Sequence, residues 1–445
     1  MKISRYTFIF TEKDNYYLYN TLSNAFIEID SQSFNLLKKL QSSKADFKVD
    51  EIEDKDLLKM LVEKRIVTTN DKDEFLLYKS IINGYRNSKV QIHLTIAPTM
   101  DCNYSCPYCF EKKKETYITT ETIDSIIKYV EHEKDLSKLH LTWFGGEPLL
   151  AINKIEEFYD KLKKIWTKDF SSNIITNGFL ISSESLRILK KAQISFIQIT
   201  LDGKKEYHNK MKFTKDCNDT FSKTIDNIDL LLQEAPEIKV VIRINLNKEN
   251  ATDFVELNHF LTNRYKDYRN IFVVPAFIMD TACGSNCNNS DNIFFSRKEK
   301  SDFNKKLFYE DGIITPFIKY PEQVFPECAI RNPHSIAFDP EGYAYKCWEI
   351  IGDKKYAIGV VNDKGHLANI NKTVLNRYLY GADPLNDKTC SSCSYLPICG
   401  GGCPHDRLKN EFDNKKVDTC TCKKGYLEEF LKMHLILKNK ASYKT

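Results

Sequence analysis

Residues 90–109 read VQIHLTIAPTMDCNYSCPYC, a β-rich run that ends in three closely spaced cysteines. The run at 90–97 alternates apolar and other side chains and is rich in β-branched residues, as a strand is. Cys102, Cys106 and Cys109 follow it directly. Active sites of barrel-like α/β folds collect at the carboxyl ends of their strands. The stretch therefore predicts an α/β fold with its chemistry in the loop after the first strand.

Strand-like and helix-like runs then alternate through residues 89–310. The predicted strands are 90–97, 140–144, 173–176, 196–200, 239–245 and 271–277. The predicted helices between them include 119–132, 152–166, 184–191 and 219–232. This alternation is typical of a parallel sheet with helical crossovers. We therefore predict a partial (β/α)6 barrel of the TIM type.

Several of these strands end in polar or glycine-containing turns. The turns are Gly145-Gly146-Glu147-Pro148, Thr176-Asn177-Gly178 and Leu201-Asp202-Gly203, and the fifth strand carries Arg243 and Asn245. A single turn of this kind could be an ordinary loop between two elements. Their repetition at one rim of a parallel sheet indicates a shared site.

The regions on either side of the barrel differ from it in composition. In residues 1–88 the pattern predicts strands at 6–10, 16–19 and 25–29, helices after Asp30 and at 54–64, and a strand at 65–67. This order of strands and helices is a winged-helix-like α+β pattern. Residues 311–445 are rich in cysteine and end in a predicted helix at 425–437.

Composition limits the function classes that the chain can serve. The 445 residues carry 65 basic and 61 acidic side chains, a balance that argues against a nucleic-acid coat or a membrane-surface protein. No apolar run approaches the roughly 20 residues needed to span a bilayer. The amino terminus lacks the pattern of a signal peptide, so we expect a cytoplasmic protein.

Clustered cysteines in a reducing cytosol indicate metal binding or catalysis rather than disulfides. Four cysteines are the usual ligands of a [4Fe–4S] cluster, so a set of three leaves one iron open to a small molecule. Structural zinc sites need four ligands, commonly from paired Cys-x2-Cys elements. The spacing of Cys102, Cys106 and Cys109 therefore favours an iron–sulfur cluster.

The Cys-x3-Cys-x2-Cys loop with Tyr108 before its last cysteine resembles the signature of the radical SAM superfamily. The Gly-Gly-Glu-Pro, Thr-Asn-Gly and Leu-Asp-Gly turns are also similar to that family. The resemblance implies that Cys102, Cys106 and Cys109 hold a cluster whose open iron binds S-adenosylmethionine (SAM). It further implies SAM contacts from Tyr108, Gly145, Gly146, Glu147 and Pro148, with Asn177 and Arg243 as contacts to its ribose or carboxylate.

Eight cysteines lie between Cys328 and Cys422 and form a second cysteine field. Their order resembles that of the SPASM domain, which carries two auxiliary [4Fe–4S] clusters. By that resemblance, the outer cluster has the ligands Cys390, Cys393, Cys399 and Cys420, with Cys422 as the alternative fourth. The inner cluster has the ligands Cys328, Cys347 and Cys403. Its fourth position is either open or completed by Cys283, Cys287 or Cys422. A zinc ribbon is the competing interpretation of 390–403.

Enzymes of this type act mostly on peptides, which implies a radical SAM oxidoreductase with a peptide substrate. We predict a maturase of a ribosomally made precursor peptide that forms a cysteine thioether or another crosslink, with residues 1–88 binding the leader and a flavodoxin- or ferredoxin-like electron donor. The alternative is an anaerobic sulfatase maturase that makes formylglycine, although those enzymes typically carry Asp where this chain has Trp348. A peptide-binding scaffold without activity is a third reading. Asp202, Glu349 and Tyr345 are candidate bases.

Overall fold

The structure, a computed structural model, describes residues 1–43, 46–133, 135–278, 293–325 and 328–442. The chain divides into two compact units. The first unit contains Met1–Asn87, Arg297–Cys328 and Ala382–Thr445, and the second contains Ser88–Ser296 and Ala329–Gly381. The division into domains at residues 88 and 310 stays a prediction.

The amino-terminal part of the first unit is an α+β arrangement. Its elements are β1 (Lys2–Ile3), β2 (Thr7–Glu12), β3 (Asn15–Asn20), β4 (Phe26–Ile29), α1 (Ser31–Ser43), α2 (Lys55–Glu63), β5 (Val67–Thr68) and α3 (Asp71–Arg86). Strands β2, β3 and β4 form an antiparallel sheet in that order, and β1 pairs with β5. The predicted strands and both predicted helices are present, and β1 and α3 are additional.

Helix α3 escapes prediction because its buried face is only half apolar. Its buried positions are Glu74, Tyr78, Ile82 and Arg86, which recur every four residues. The Glu74 carboxylate accepts a hydrogen bond from Ser4 at 3.0 Å. Two charged residues in that stripe remove the hydrophobic period that reveals an amphipathic helix.

The second unit contains the predicted barrel. Its first elements are β6 (Gln91–Ile96), α4 (Thr120–His132), β7 (Lys138–Trp143), α5 (Ile152–Ile165), β8 (Asp169–Thr176), α6 (Ser183–Lys191), β9 (Ile194–Leu201), α7 (Lys205–Met211), α8 (Thr220–Glu234), β10 (Lys239–Leu246), α9 (Asp253–Arg264) and β11 (Ile271–Phe277). The six strands are parallel and lie in chain order across the sheet. The partial barrel and all six predicted strands are confirmed.

The remaining elements belong to both units. They are α10 (Arg297–Tyr309), β12 (Ser335–Phe338), β13 (Tyr343–Tyr345), β14 (Gly359–Val361), β15 (Leu367–Ala368), α11 (Lys372–Tyr380), α12 (Lys388–Ser391), α13 (Leu396–Cys399), α14 (Pro404–Phe412) and α15 (Leu427–Ser442). Strand β12 pairs parallel with β6, and β13 to β15 follow antiparallel, so the sheet has ten strands. The predicted final helix is α15.

Both faces of the amino-terminal sheet are covered within the first unit. Leu37 of α1 packs with Ile9 and Leu18 on one face. On the other face, Tyr17 and its aromatic neighbours pack against Leu431 and other apolar residues of α15. Burial of these side chains stabilises the sheet by roughly 1.5–3 kcal/mol each. The carboxyl-terminal helix is therefore part of the amino-terminal core.

No helix within the described ranges is both long enough and apolar enough to cross a membrane.

Candidate functional site

The cysteine loop after β6 packs against the glycine turn after β7. Gly146 donates its N–H to the Thr99 carbonyl at 3.1 Å, and Glu147 donates to the Asp101 carbonyl at 2.8 Å. A Cβ on Gly146 would lie 2.0 Å from the Asp101 oxygen. Only glycine allows this approach, so the turn fixes the backbone that leads into Cys102.

Glu147 joins the turn after β7 to the turn after β8. Its buried carboxylate accepts hydrogen bonds from Leu149 N at 3.0 Å, Thr176 Oγ1 at 2.7 Å and Asn177 N at 2.8 Å. Burial raises the pKa of Glu147, and the three donors oppose that shift. Both carboxylate oxygens are occupied, so this side chain positions the rim of the barrel.

Asn177 connects the same turn to the cysteine loop. Its Nδ2 donates to Asn103 Oδ1 at 2.8 Å and lies 4.0 Å from Cys102 Sγ. Its Oδ1 accepts from Phe179 N at 2.9 Å. The predicted residues Asn177 and Glu147 are thus brought together with the cysteine loop.

The three cysteines of the loop are neighbours in a partly buried site. Burial raises the pKa of Cys102 to about 12, and that of Cys109 to about 11. Cys106 adds to both shifts by its charge. Thiols in such surroundings become stable thiolates when a metal replaces the proton.

Within the described ranges, no group of three or more Cys, His, Asp and Glu side chains converges on a single ion. A cuboidal cluster binds each ligand through a different iron and therefore needs a wider spacing than one ion does. Three adjacent sulfurs on one loop suit such a cluster.

Polar atoms beside the cysteines lack partners, as expected where a ligand with an amine and a carboxylate binds. In the described part of the chain, Asn103 Nδ2 and Glu111 Oε1 are buried without a hydrogen bond. Burial raises the pKa of Glu111 to about 8, and the neighbouring Glu147 adds to the shift. Unsatisfied buried groups are costly, so these atoms are candidates for ligand contacts. The chemistry of this rim fits a cluster with bound SAM.

Lys212 is a buried cation at this site that sequence reasoning missed. Its Nζ lies 3.9 Å from Cys106 Sγ and 5.7 Å from the centre of the Tyr108 ring. Burial alone would lower the pKa of Lys212, but Asp202 and Cys106 raise it well above its usual value. Lysine is so common in this chain that nothing in the sequence singles out position 212.

Tyr108 and Asp202 form a buried pair beside Lys212. The Tyr108 hydroxyl donates to Asp202 Oδ2. Burial raises the pKa of Asp202, so the pair is held by a hydrogen bond in a dry environment. Asp202 therefore fixes the tyrosine between two of the predicted cluster ligands.

The other candidate bases lie in different surroundings. Tyr345 is fully buried and donates its hydroxyl to Asp339 Oδ2 at 2.9 Å, which indicates a structural role.

Arg243, a predicted SAM contact, donates to Asn245 Oδ1 at 3.2 Å. Burial lowers the pKa of Arg243, and Tyr108 and Glu349 oppose that shift. Arg243 thus lies within electrostatic reach of both Tyr108 and Glu349.

The outer set of the second cysteine field lies in the first unit, where Cys390 belongs to α12 and Cys399 to α13. Burial raises the pKa of Cys399, and the charges of Cys420 and Cys393 add to the shift, so these three are neighbours. Burial raises the pKa of Cys390, and the charge of Cys399 adds to the shift. Burial also raises the pKa of Cys422, and Lys423 and Lys300 oppose that shift. Cys420 as the fourth ligand of the outer set, with Cys422 as the alternative, stays a prediction.

The inner ligand set stays a prediction. Cys328 and Cys403 belong to the first unit, and Cys347 belongs to the second. Cys283 and Cys287, two of the three alternative fourth ligands, lie outside the described residues, and the third alternative is Cys422.

Comparisons with known proteins agree with the geometry. Residues 96–261 match the family described as the Radical SAM superfamily. The chain is 25% identical over 358 residues to the cysteine-type anaerobic sulfatase-maturating enzyme of Clostridium novyi (strain NT), which covers 74% of this chain and 92% of that protein. It is 26% identical over 301 residues to the radical SAM cyclopropyl synthase TigE of Paramaledivibacter caminithermalis, covering 61% and 59% respectively.

A solved structure shares the fold. Native anSMEcpe with bound AdoMet, which is SAM, and the Cp18Cys peptide superposes with a TM-score of 0.61 at 20% sequence identity. The match covers 80% of this chain and 100% of that one. About a fifth of this chain therefore has no counterpart there.

Proposed function

The chain carries a radical SAM domain in residues 96–261, and from this premise we propose that it is a maturase that modifies a ribosomally made precursor peptide. The favoured product is a cysteine thioether or another crosslink. A [4Fe–4S] cluster and SAM are the cofactors of this enzyme class, and together they supply a 5′-deoxyadenosyl radical that abstracts a hydrogen atom from the substrate. The protein supplies binding, orientation and exclusion of water.

The residues of the barrel rim fit the first part of this proposal. Cys102, Cys106 and Cys109 would hold the cluster. Glu147 and Asn177 position the loops on either side, and Lys212 provides a fixed positive charge next to Cys106. Such a charge in a dry site suits the carboxylate of an amino-acid ligand.

Replacing Lys212 with Met is expected to weaken SAM binding about ten- to a hundredfold, because a charge-assisted contact contributes about 1.5–3 kcal/mol. Equilibrium dialysis of SAM with anaerobically reconstituted protein measures the effect. Lys210→Met is the matched control, since Lys210 is exposed two residues away. Equal affinities for SAM in the two variants would show that Lys212 does not contact SAM.

The observation that supports a peptide substrate is the open edge of the amino-terminal sheet. Strand β4 is at the edge of the three-stranded sheet. Asn20 N donates to Ala25 O at 2.9 Å, so alternate residues of β4 face β3 and the amides of Phe26 and Glu28 face outward. No backbone hydrogen bond reaches these two amides from the described residues. An extended peptide can add to such an edge as a further strand.

Glu28→Pro tests this edge directly. The proline removes one outward N–H while leaving the inward hydrogen bonds of Ile27 in place. We expect precursor binding to weaken about tenfold, from the lost hydrogen bond and the steric bulk of the ring. The ligand is any small cysteine-containing peptide encoded beside the gene, and binding is measured by fluorescence anisotropy.

The control is Glu28→Thr, which removes the same charge but keeps the N–H. Formation of 5′-deoxyadenosine without peptide should be the same in both variants, because β4 is remote in sequence from the radical SAM domain. Unchanged peptide affinity in Glu28→Pro would contradict the proposal that the leader binds at the edge of β4. Deleting the first 85 residues is a poorer test, since it would uncover Leu427, Leu431 and Leu435 of α15.

Sulfatase maturation is the second candidate, and the relative from Clostridium novyi favours it. Against it, Trp348 occupies the position where the resemblance leads us to expect Asp. Trp348 is 44% exposed, and the centre of its ring lies 5.6 Å from that of Phe144. A sulfatase-derived cysteine peptide distinguishes the two functions. Conversion of its cysteine to an aldehyde would establish sulfatase maturation. Loss of a hydrogen pair in the precursor peptide that persists after reduction and alkylation, with fragmentation placing the link, would establish crosslinking.

A further inference from the structure

The outer cysteine set is surrounded by cationic hydrogen-bond donors. The set comprises Cys390, Cys393, Cys399 and Cys420. Arg407 donates from Nη1 to Cys390 Sγ at 3.3 Å, and Lys424 donates from Nζ to Cys420 Sγ at 3.4 Å. Two of the four sulfurs thus receive a hydrogen bond from a positive charge.

Arg407 is held rigidly in this position. Its Nε donates to the Ala382 carbonyl at 2.7 Å, and its Nη2 donates to Asp387 Oδ2 at 2.9 Å. Its side chain is only 10% exposed. Asp387 also accepts from Cys390 N at 2.9 Å, so the same carboxylate positions both the cysteine and the arginine. Its Nη1 also donates to the Gly401 carbonyl at 3.4 Å, so two carbonyls and one carboxylate fix the guanidinium beside the sulfur.

The first cysteine loop has a weaker arrangement of the same kind. There, Lys212 Nζ lies 3.9 Å from Cys106 Sγ, farther than either cation of the outer set lies from its sulfur. One-electron reduction of an iron–sulfur cluster adds negative charge that is shared by its sulfurs. A donor cation at hydrogen-bond distance stabilises the reduced form more than the oxidised form, and hydrogen bonds to the sulfurs are known to set cluster potentials.

We propose that Arg407 and Lys424 raise the reduction potential of the outer cluster, so that it accepts an electron more readily than it would with neutral neighbours. The inference rests on the proposed function, because the outer cluster is expected from the resemblance of this chain to SPASM-type peptide maturases. Arg407 and Lys424 are positioning residues that act on the cluster through its ligands. In this role the outer cluster is a site that accepts and holds one electron.

The test is a reductive titration with dithionite, followed by low-temperature electron paramagnetic resonance. The outer-cluster signal is identified as the one that Cys393→Ala removes. Arg407→Met and Lys424→Met are each expected to make reduction about tenfold less favourable, which is about 59 mV for one electron. Arg407→Lys and Lys424→Arg keep the charge and should restore most of the potential.

Lys388→Met is the matched control. It removes the same charge from an exposed position close to Cys390, where solvent screens the effect. If Arg407→Met fails to take up iron, Lys424→Met decides the question. Potentials shifted no further than in Lys388→Met would overturn the inference while leaving the outer cluster in place. If Cys393→Ala changes neither iron content nor spectrum, the cluster assignment within the proposed function fails instead.

Discussion

Replacing Cys102, Cys106 and Cys109 together with alanine is expected to abolish reductive cleavage of SAM. The three thiols are neighbours on one loop, and they are the predicted ligands of the cluster that supplies the electron. Without them, the open iron that binds SAM has no protein support. The assay is formation of 5′-deoxyadenosine under anaerobic conditions with excess reductant, and iron content should fall by about four per chain.

Cys217→Ala is the control for this variant. Cys217 lies outside both predicted ligand fields and is half-buried. Its replacement should leave iron content and SAM cleavage unchanged. Persistent SAM cleavage in the triple variant would mean that the radical is generated at another site, and the assignment of the loop after β6 would be wrong.

Gly146→Ala is expected to have the second largest effect. The new Cβ would lie 2.0 Å from the carbonyl oxygen of Asp101, so either the turn after β7 or the cysteine loop must move. Overpacking typically costs 1–3 kcal/mol, and a clash with backbone places this variant near about 3 kcal/mol. Denaturant unfolding measures that loss. Because the displaced backbone leads into Cys102, iron uptake should fall as well.

Gly84→Ala is the matched control. Gly84 lies in α3, and a Cβ there would meet nothing within 4 Å. The same substitution should therefore stabilise the protein by about 0.5–1 kcal/mol, since alanine favours helix more than glycine does. A Gly146→Ala protein with full iron content and unchanged stability would show that the rim can adjust, and that Gly146 is not required for its form.

The barrel was predictable from the sequence because its signals are local. The strands of the barrel are short runs rich in apolar residues, several of them followed by a polar turn, and the spacing of the three cysteines is contained in eight residues. Glu147 and Asn177 were found for the same reason, since each follows its strand directly. The structure adds what those residues do: Glu147 holds two turns together by three hydrogen bonds.

Residues whose role depends on partners far away in the sequence show no such local pattern. Lys212 lies 106 positions from Cys106, and Arg86 lies 297 positions from Asp383, with which it forms a buried ion pair. Helix α3 was missed because its buried stripe contains Glu74 and Arg86 beside apolar residues. Charged residues in a buried stripe can be understood only when their partners are known.

The sequence by itself determined the strand and helix alternation, the cysteine spacing and the kind of cofactor that such spacing suits, because these depend on neighbours along the chain. Only the tertiary structure decided which cations reach the cysteine sulfurs, how α15 covers the amino-terminal sheet and which amides of β4 remain open. These features depend on packing between distant segments, and the free energy of that packing is not encoded in any single stretch of the chain.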